Sequence, residues 1–367
     1  MSGLLAHGMG TEPVAPDWPP LTEAEVEAVL GPVRVLWRSP RPLSAAALVE
    51  RGGRRLFVKR HHSDVRTLEG LAEEHAFLRY LRDRGAPVVE VLGAEAHGEW
   101  VYEVHTAGTG TDLYRDALSW SPFVSVAHAR AAGAALAQLH LAAEGFGAPR
   151  RRPQPLVSSF SIFAAVDPEA ALEAYVAERP AVVAALAGRP WREDLRAVHL
   201  PFHRSLLPHL GRLAPLWTHN DWHASNLLWD PATGTVSTVL DFGLSDRTTA
   251  VHDLATAIER NTVQWLDPSR PVRPDDVDAL LDGYTSVRPL SPAESAALPE
   301  LLPLVHAEFA LSELGYFHSV TGSRANADLA YRYLVDHTRW FTTDDGHRLL
   351  DRVRLRTRRS YESSTSR

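Results

Sequence analysis

The feature that most constrains the fold is a run of polar residues around a predicted β-hairpin. The stretch THNDWHASNLLWD (218–230) is followed by the turn PATG and by TVSTVLDFG (235–243). Asn226 leads into the first strand and Asp241 follows the second, so a hairpin would bring their side chains together. Asp221 lies in the loop just before Asn226. The pattern therefore predicts three oxygen-bearing side chains in one site.

These residue types suit more than one chemistry. Asn226 and Asp241 offer hard oxygen ligands of the kind that Mg²⁺ prefers, and Asp221 would face a substrate hydroxyl in the remaining position. A competing interpretation takes His219, Asp221 and His223 as the metal cluster of a hydrolase, since alternation puts all three on one face of an extended segment. That interpretation leaves the hairpin and Asp241 without a role.

A single lysine, Lys59, occurs among the 38 basic residues of the chain. Since arginine is used everywhere else, the retained lysine marks a place where a compact ammonium fits better than a planar guanidinium. The alternative is chance survival on a solvated strand. Glu73 and Glu74 follow on the next predicted helix.

Local patterns divide the chain into a mostly β part and a mostly helical part. Up to about residue 105 the predicted order is β-β-β-α-β-β, with the helix at 67–85 and a further helix at 22–31 before the strands. Beyond that point helical patterns dominate. The predicted helical segments are 128–146, 167–187, 193–214 and 249 to about 340.

Composition excludes several classes of protein. The net charge of -7 argues against a general nucleic-acid binder, and the lack of cysteine excludes disulfide frameworks and thiolate sites. Neither a signal-peptide pattern nor an apolar run of about 18 residues is present. We therefore expect a cytoplasmic protein without nucleic-acid or membrane partners, and its oligomeric state stays unassigned.

Together these segments resemble the aminoglycoside phosphotransferase/choline kinase family, whose members share a protein-kinase-like fold. The resemblance covers about residues 30–340. The matching motifs are His219-Asn220-Asp221 through Asn226 (catalytic loop), Asp241-Phe242-Gly243 (metal-binding segment), Val251–Ala255 (the following Asp-Leu-Ala) and LAQLH at 136–140 (a helix ending in Leu-His).

The resemblance implies an α+β, two-lobe fold of the protein-kinase type. A small antiparallel sheet with one main helix would form the N-lobe, and the C-lobe would be larger and mostly helical. The corresponding boundaries are a flexible N-terminus at 1–20, a nucleotide-binding N-lobe at 21–105, a C-lobe at 106–345 with the catalytic loop, metal and acceptor site, and a basic, Ser-rich tail at 346–367.

The resemblance also implies the use of ATP and Mg²⁺ and a role for each matching residue. Asp221 would take the proton of the acceptor hydroxyl. Lys59 would bind the phosphates, and Glu74 would orient Lys59, with Glu73 as the second choice. The other roles are adenine binding through the backbone of Glu103, Val104 and His105, Mg²⁺ binding by Asn226 and Asp241, and structural support of the loop by His219 and Asp253.

Two positions depart from the family pattern. Asn220 stands where glycine is usual, and asparagine tolerates a positive φ better than most residues. The turn at 39–46, between the first two strands, contains no glycine. A glycine-rich lid over the phosphates is therefore not expected, and how this turn covers the nucleotide is left open.

The resemblance predicts a phosphotransferase that acts on a small alcohol, which could be aminoglycoside-, sugar-, choline- or homoserine-like. The acidic net charge slightly favours a cationic acceptor. Alternatives are a kinase of Ser or Thr in a biosynthetic peptide and a pseudokinase that only binds nucleotide, although the retained polar set argues against the latter. Glu259, Arg260, Glu308 and Glu313 could face the acceptor pocket, but solvated positions are expected for these four residues and for Arg150 to Arg152.

Overall fold

The computed structural model describes residues 14–43, 45–267, 269 and 272–365. Its N-terminal lobe has the predicted order of elements, which confirms the expected α+β architecture. The elements are α1 (Glu23–Leu30), β1 (Arg34–Arg38), β2 (Ala45–Arg51), β3 (Arg54–His62), α2 (Leu68–Asp83), β4 (Val91–His97) and β5 (Trp100–Thr106). The five strands form one antiparallel sheet in the order β1-β2-β3-β5-β4.

Local sequence signals explain where these elements begin and end. Thr22 and Glu25 form a capping box at the start of α1, and Gly31 ends this helix with a φ of 72°. The β2–β3 turn uses Gly52 and Gly53 at φ values of 55° and 76°, which side chains other than glycine rarely adopt.

The C-terminal lobe is mostly helical, as predicted. Two short antiparallel pairs interrupt the helices: the expected hairpin of β7 (Leu227–Trp229) with β8 (Val236–Val239), and an unpredicted pair of β6 (Pro215–Thr218) with β9 (Asp246–Thr249). The helices are α3 (Val126–Ala143), α4 (Pro168–Ala177), α5 (Pro180–Leu186), α6 (Trp191–Asp194), which continues through a π-helical turn (Leu195–His199) into α7 (Leu200–Leu210), α8 (Ala250–Thr262), α9 (Pro274–Val287), α10 (Pro292–Leu301), α11 (Ala307–Ser319), α12 (Arg324–Trp340) and α13 (Asp344–Thr365).

Helices α3 and α9 pack with their backbones in close contact. A Cβ atom on Gly133 would lie 2.0 Å from the carbonyl oxygen of Leu280, and one on Gly283 would lie 1.9 Å from that of Arg130. Glycine on each helix therefore permits a crossing that no larger residue would allow, and this crossing fixes α3 beside the catalytic loop.

The expectation of solvated faces on the C-lobe helices is wrong. Every residue of α8 is buried, including Glu259 and Arg260, and Glu308 and Glu313 are buried on α11. These helices lie inside the lobe with neighbours on all sides, so their polar residues face other protein groups or the cavity. Arg151 is also buried, where it donates to the carbonyl oxygens of Gly243 and Ser245.

The predicted chain ends also need correction. Residues 1–13 lie outside the described part, but Trp18 stacks on His62 at 5.2 Å and Asp17 accepts a hydrogen bond from Tyr316 at 3.0 Å. Residues 346–365 belong to α13 rather than to an irregular tail, and Val353 is buried. No described helix combines the length and the apolar character needed to cross a membrane.

Candidate active site

The four polar residues predicted to act together line one cavity of about 350 Å³ between the lobes. Lys59 comes from β3, Asp221 and Asn226 from the loop between β6 and β7, and Asp241 from the segment after β8. Both lobes contribute to this cavity, which also contains the β1–β2 turn and residues of α8 and α11.

The catalytic loop begins with an unusual backbone conformation that Asn220 makes possible. Its φ of 59° lies in the left-handed region, which costs most residues about 1–2 kcal/mol. The side-chain oxygen accepts from the hydroxyl groups of Thr218 and Thr248 at 2.9 and 3.2 Å. The asparagine thus replaces glycine by tolerating the conformation and by bonding to both strands of the β6–β9 pair.

Asp253, at the start of α8, anchors the catalytic loop through hydrogen bonds to its backbone. Its carboxylate accepts the backbone N–H groups of His219 and Asn220, both at 2.9 Å, and the ring of His140 on α3 at 3.1 Å. His140 is bonded in turn to the hydroxyl of Tyr284 on α9 at 2.8 Å. Burial alone would raise the pKa of Asp253, but its bond to His140 and the charges nearby lower it. Three helices are thereby connected to the loop.

Both ring nitrogens of His219 are used within the fold. Nε2 donates to the carbonyl oxygen of Leu240 at 2.8 Å, and Nδ1 accepts the backbone N–H of Asp221 at 3.1 Å. These partners require the neutral Nε2–H tautomer, in agreement with the pKa of His219, which burial lowers. The ring has no nitrogen left for a metal, which contradicts the hydrolase interpretation.

The carboxylate of Asp221 is held from two sides. Its Oδ2 accepts from Nδ2 of Asn226 at 2.9 Å, and its Oδ1 forms an ion pair with Nη1 of Arg260. Because Asn226 uses Nδ2 here, its amide oxygen is the atom left for a cation. Asp221 is thus oriented by two partners, yet it still borders the cavity.

Lys59 pairs with carboxylates other than the one predicted. Its Nζ lies 2.9 Å from Oδ1 of Asp241 and 3.9 Å from Oε1 of Glu103. Burial alone would lower the pKa of Lys59, but these carboxylates raise it. Glu74 instead lies 3.6 Å from Arg151. In this structure Glu103, its cross-strand neighbour, is therefore the carboxylate beside Lys59, together with Asp241.

Glu103 is also the centre of a buried imidazole cluster. Its carboxylate lies 2.9, 3.0 and 3.2 Å from Nε2 of His61, His75 and His105. Burial alone would raise the pKa of Glu103, but these rings hold it well below its usual range. The side chain of Glu103 is therefore directed into the interior of the N-terminal lobe, where it holds the three histidine rings together.

The prediction that the backbone of Glu103–His105 receives adenine is wrong. All three residues lie within β5, which is paired with β3 on one side and with β4 on the other, so their N–H and C=O groups belong to the sheet. The residues that line the cavity here are His105 and Thr106 at the end of β5 and Ala107 and Gly108 after it.

The glycine-free turn between β1 and β2 directs a long side chain, that of Arg41, into the cavity. Arg41 lines the cavity and reaches the C-terminal lobe, where it donates to the hydroxyl of Ser119 at 2.8 Å and to the carbonyl oxygen of Tyr114 at 3.3 Å. The turn therefore places a cation, rather than a glycine-rich backbone, at the mouth of the cavity.

Sequence reasoning missed several residues that border Asp221, of which Arg260 and Glu313 are the most deeply buried. A signal for Arg260 was available, since it follows Asp253 by two helical turns and must share its face of α8. No local pattern favours the cavity over solvent for Glu313, because its position depends on how α11 packs within the lobe.

Comparison with known proteins relates this geometry to a family. The model of the phosphotransferase enzyme family matches residues 43–290. Homoserine kinases of Gluconacetobacter diazotrophicus and Methylobacterium radiotolerans are each 30% identical, over 206 and 188 residues, which is 53% and 51% of this chain. The matches cover 54% and 51% of those two proteins, so the chain spans about half the length of the curated relatives it matches.

Among solved structures, an ethanolamine kinase from Plasmodium vivax is similar, with a TM-score of 0.48 and 10% identity. The similarity covers 80% of this chain and 78% of that one.

Proposed function

Because this chain belongs to the phosphotransferase enzyme family, we propose that it transfers the terminal phosphate of ATP to a hydroxyl group of a small molecule. The observation that carries the proposal is the convergence of Lys59, Asp221, Asn226 and Asp241 on one cavity. Phosphoryl transfer requires charges that neutralise the phosphates and a group that positions the nucleophile. These four residues supply both.

Asn226 and Asp241 fit the role of Mg²⁺ ligands by the chemistry of their free oxygen atoms. Burial alone would raise the pKa of Asp241, but Lys59 lowers it to about 2, so the carboxylate is ionised at neutral pH. Its side chain is 46% exposed and thus open to a ligand. A bound Mg²⁺ would neutralise charge on the phosphates, while Lys59 would contact other phosphate oxygens.

Asp221 is the residue that would act on the acceptor. It would hold the hydroxyl group by a hydrogen bond and take its proton as the new phosphate bond forms. Asn226 and Arg260 keep this carboxylate in one orientation. His219 and Asp253 act only on the loop backbone, so in this proposal they position Asp221 without touching the substrate.

The names of the two curated relatives make homoserine the first acceptor to test. Choline-like, sugar-like and aminoglycoside-like alcohols are the other acceptors suggested by the sequence. A Ser or Thr side chain in a peptide is the second candidate, because the cavity is continuous with the opening between the lobes.

The test is a screen of these alcohols with ATP and Mg²⁺ that follows ADP release above the background hydrolysis. We expect one class of small alcohol to stimulate ADP release, and we expect excess EDTA to abolish it. Nucleotide binding, measured by calorimetry, provides an independent readout. A protein that binds no ATP would contradict the proposal, and one that binds ATP but phosphorylates only peptides would support the second candidate.

A further inference from the structure

Two buried ionisable side chains, Arg260 and Glu313, line the same cavity as Asp221. They are 2% and 1% exposed. Nη1 of Arg260 contacts Asp221, but its Nε has no hydrogen-bond partner among the described residues, and the same is true of Oε2 of Glu313. A buried polar atom without a partner costs about 1–3 kcal/mol. A ligand in the cavity could satisfy both atoms.

The two side chains do not pair with each other: burial raises the pKa of Glu313 to about 8, so near neutral pH its carboxyl is largely protonated while the cavity is empty. Their charges interact strongly enough to affect the pKa of each group, but no nitrogen–oxygen distance between them is as short as 4.0 Å. Trp120 and Phe309 hold the guanidinium of Arg260, with ring centroids 5.4 and 5.1 Å from its carbon. Arg260 thus cannot easily move to satisfy Glu313.

The charges around the cavity are of both signs. The basic residues that line it are Lys59 and four arginines, Arg41, Arg55, Arg115 and Arg260, and the acidic residues are Asp112, Asp221, Asp241 and Glu313. A polycationic acceptor would meet repulsion from the arginines, and a simple anion would leave Glu313 unsatisfied. An acceptor with one charge of each sign would match both.

We infer that the acceptor is a hydroxylated amino acid whose carboxylate binds Arg260 and whose ammonium binds Glu313. A guanidinium suits a carboxylate because its N–H groups form a planar fork, and here the edge that carries Nε is available. Glu313 is the matching group for the ammonium, because a cation bound beside it would favour loss of its proton and leave a carboxylate that accepts the ammonium N–H groups. This inference rests on the proposed phosphotransferase function and names the substrate class of the same site.

The arrangement also couples acceptor binding to Asp221. Arg260 would share its positive charge between the carboxylate of the acceptor and Asp221, so the acceptor reduces the hold of Arg260 on Asp221. Asp221 then becomes a better proton acceptor when the correct substrate is present. An alcohol without a carboxylate would leave this ion pair undisturbed.

The first test compares three alcohols with matched chains on the wild-type protein: homoserine, 3-aminopropan-1-ol, which lacks the carboxylate, and 4-hydroxybutanoate, which lacks the amine. Each lost charge-assisted contact is worth about 1.5–3 kcal/mol. We therefore expect kcat/KM for homoserine to exceed that for either analogue by about 10- to 100-fold. Similar values for the three alcohols, or activity only on polycationic amino sugars, would overturn the inference but not the proposed function.

The second test separates the two contacts by substitution. Glu313→Gln should reduce the preference for homoserine over 4-hydroxybutanoate, and Arg260→Gln should reduce the preference over 3-aminopropan-1-ol. Ratios between acceptors are the readout, because Arg260 also contacts Asp221 and its loss lowers every rate. Matched controls are Glu300→Gln and Arg354→Gln, an ion pair between α10 and α13, which should leave both ratios unchanged.

A binding measurement keeps the test valid if a variant is inactive. Calorimetric titration of homoserine into the ADP-bound protein should show weaker binding to each variant than to the wild type, and thermal melting checks that the variants are folded. Unchanged homoserine affinity in both variants would overturn the inference. Absence of ATP binding and of ADP release with every alcohol would instead contradict the proposed function.

Discussion

At the scale of single residues, the candidate site consists of carboxylates that are already paired. Asp221 is held by Asn226 and Arg260, and Asp241 is held by Lys59. Pairing orients both carboxylates, so a substrate would meet groups that need little reorganisation. Each substitution at this site therefore removes a contact and also leaves its partner without one.

Asp221→Asn should reduce phosphoryl transfer by about 10²- to 10⁴-fold, because the amide cannot take the acceptor proton. Nucleotide affinity should change little, since Asp221 is assigned to the acceptor and not to ATP. Steady-state turnover and calorimetric titration with ATP measure the two effects. The control is Asp64→Asn, at a position whose side chain is 70% exposed. Turnover close to that of the wild type would exclude the role of Asp221.

The substitution Lys59→Arg keeps the positive charge but changes the shape of the charged group. The ammonium lies between Asp241 and Glu103, and a planar guanidinium in the same space would need a different geometry. We expect turnover to fall at least about tenfold, or about 1.4 kcal/mol in activation free energy, with little change in thermal stability. The chain has no second lysine, so the control is the reverse change, Arg54→Lys, at an exposed position of the β2–β3 hairpin. Unchanged turnover would mean that Lys59 is not needed for the phosphates.

The residues of the site differ in how far sequence could predict them. Asp221, Asn226 and Asp241 could be brought together because a hairpin of defined length joins them, and Lys59 stood out by its rarity. The carboxylate beside Lys59 could not be placed, because it depends on strand register, which sets Glu103 opposite Lys59. Arg260 and Glu313 depend on helix packing over long sequence distances.

At the scale of elements, the crossing of α3 and α9 positions His140 and Tyr284, which connect these helices to Asp253. Sequence patterns predicted the two helices but not how closely they pack. Glycine within a helix ordinarily indicates a less stable helix, and it does not by itself indicate close contact between two helix backbones. Only the neighbouring backbone shows why Gly133 and Gly283 occur within helices.

Gly283→Ala should lower the free energy of unfolding by about 2 kcal/mol or more. Helix propensity alone predicts a gain of about 1 kcal/mol, but the added Cβ would lie 1.9 Å from the carbonyl oxygen of Arg130, and such overpacking typically costs about 1–3 kcal/mol. Chemical denaturation measures the outcome. Gly211→Ala is the control, since no atom lies within 4 Å of a Cβ at that position. Stabilisation of Gly283→Ala would show that the helices can separate at little cost.

At the scale of the whole molecule, the distribution of charge around the cavity says more about the acceptor than the total charge of the chain does. The net charge of -7 suggested a cationic acceptor, yet the residues that line the cavity include Lys59 and four arginines. Net charge averages over a surface that the substrate never touches. The fold class could be predicted from sequence because alternation, turns and motif order all indicate the same architecture.

Stability should fall as the pH rises from about 6.5 to 9. Burial raises the pKa of Glu259 and of Glu313 to about 8, from 4.5 in the unfolded chain. Groups with a raised pKa stabilise the fold below their unfolded pKa and lose that contribution as pH rises through the folded value. At about 1.4 kcal/mol per pH unit, the full loss between pH 4.5 and 8 is about 5 kcal/mol for each carboxyl, of which about 2 kcal/mol falls above pH 6.5.

Buried histidines make the stability rise with pH, but only below about pH 6.5. Burial lowers the pKa of His199 and of His252 to about 4, so their destabilising effect is limited to pH values below about 6.5. Denaturant unfolding between pH 6.5 and 9 therefore isolates the two carboxyl groups. The double variant Glu259→Gln/Glu313→Gln should give a flatter profile, and a wild-type profile that rises over this range would contradict the prediction.

Lys59 carries the one ε-amino group of this chain, which makes amine-directed labelling unusually selective and also hazardous. Dyes, cross-linkers and biosensor surfaces that acylate amines have one side-chain target here, which lies inside the cavity, besides a terminal α-amino group. The reaction at Lys59 should be slow, because Asp241 and Glu103 keep its nitrogen protonated and therefore weakly nucleophilic. Slow acylation that destroys activity would report on the cleft itself, whereas immobilisation for kinetic work calls for a different coupling chemistry.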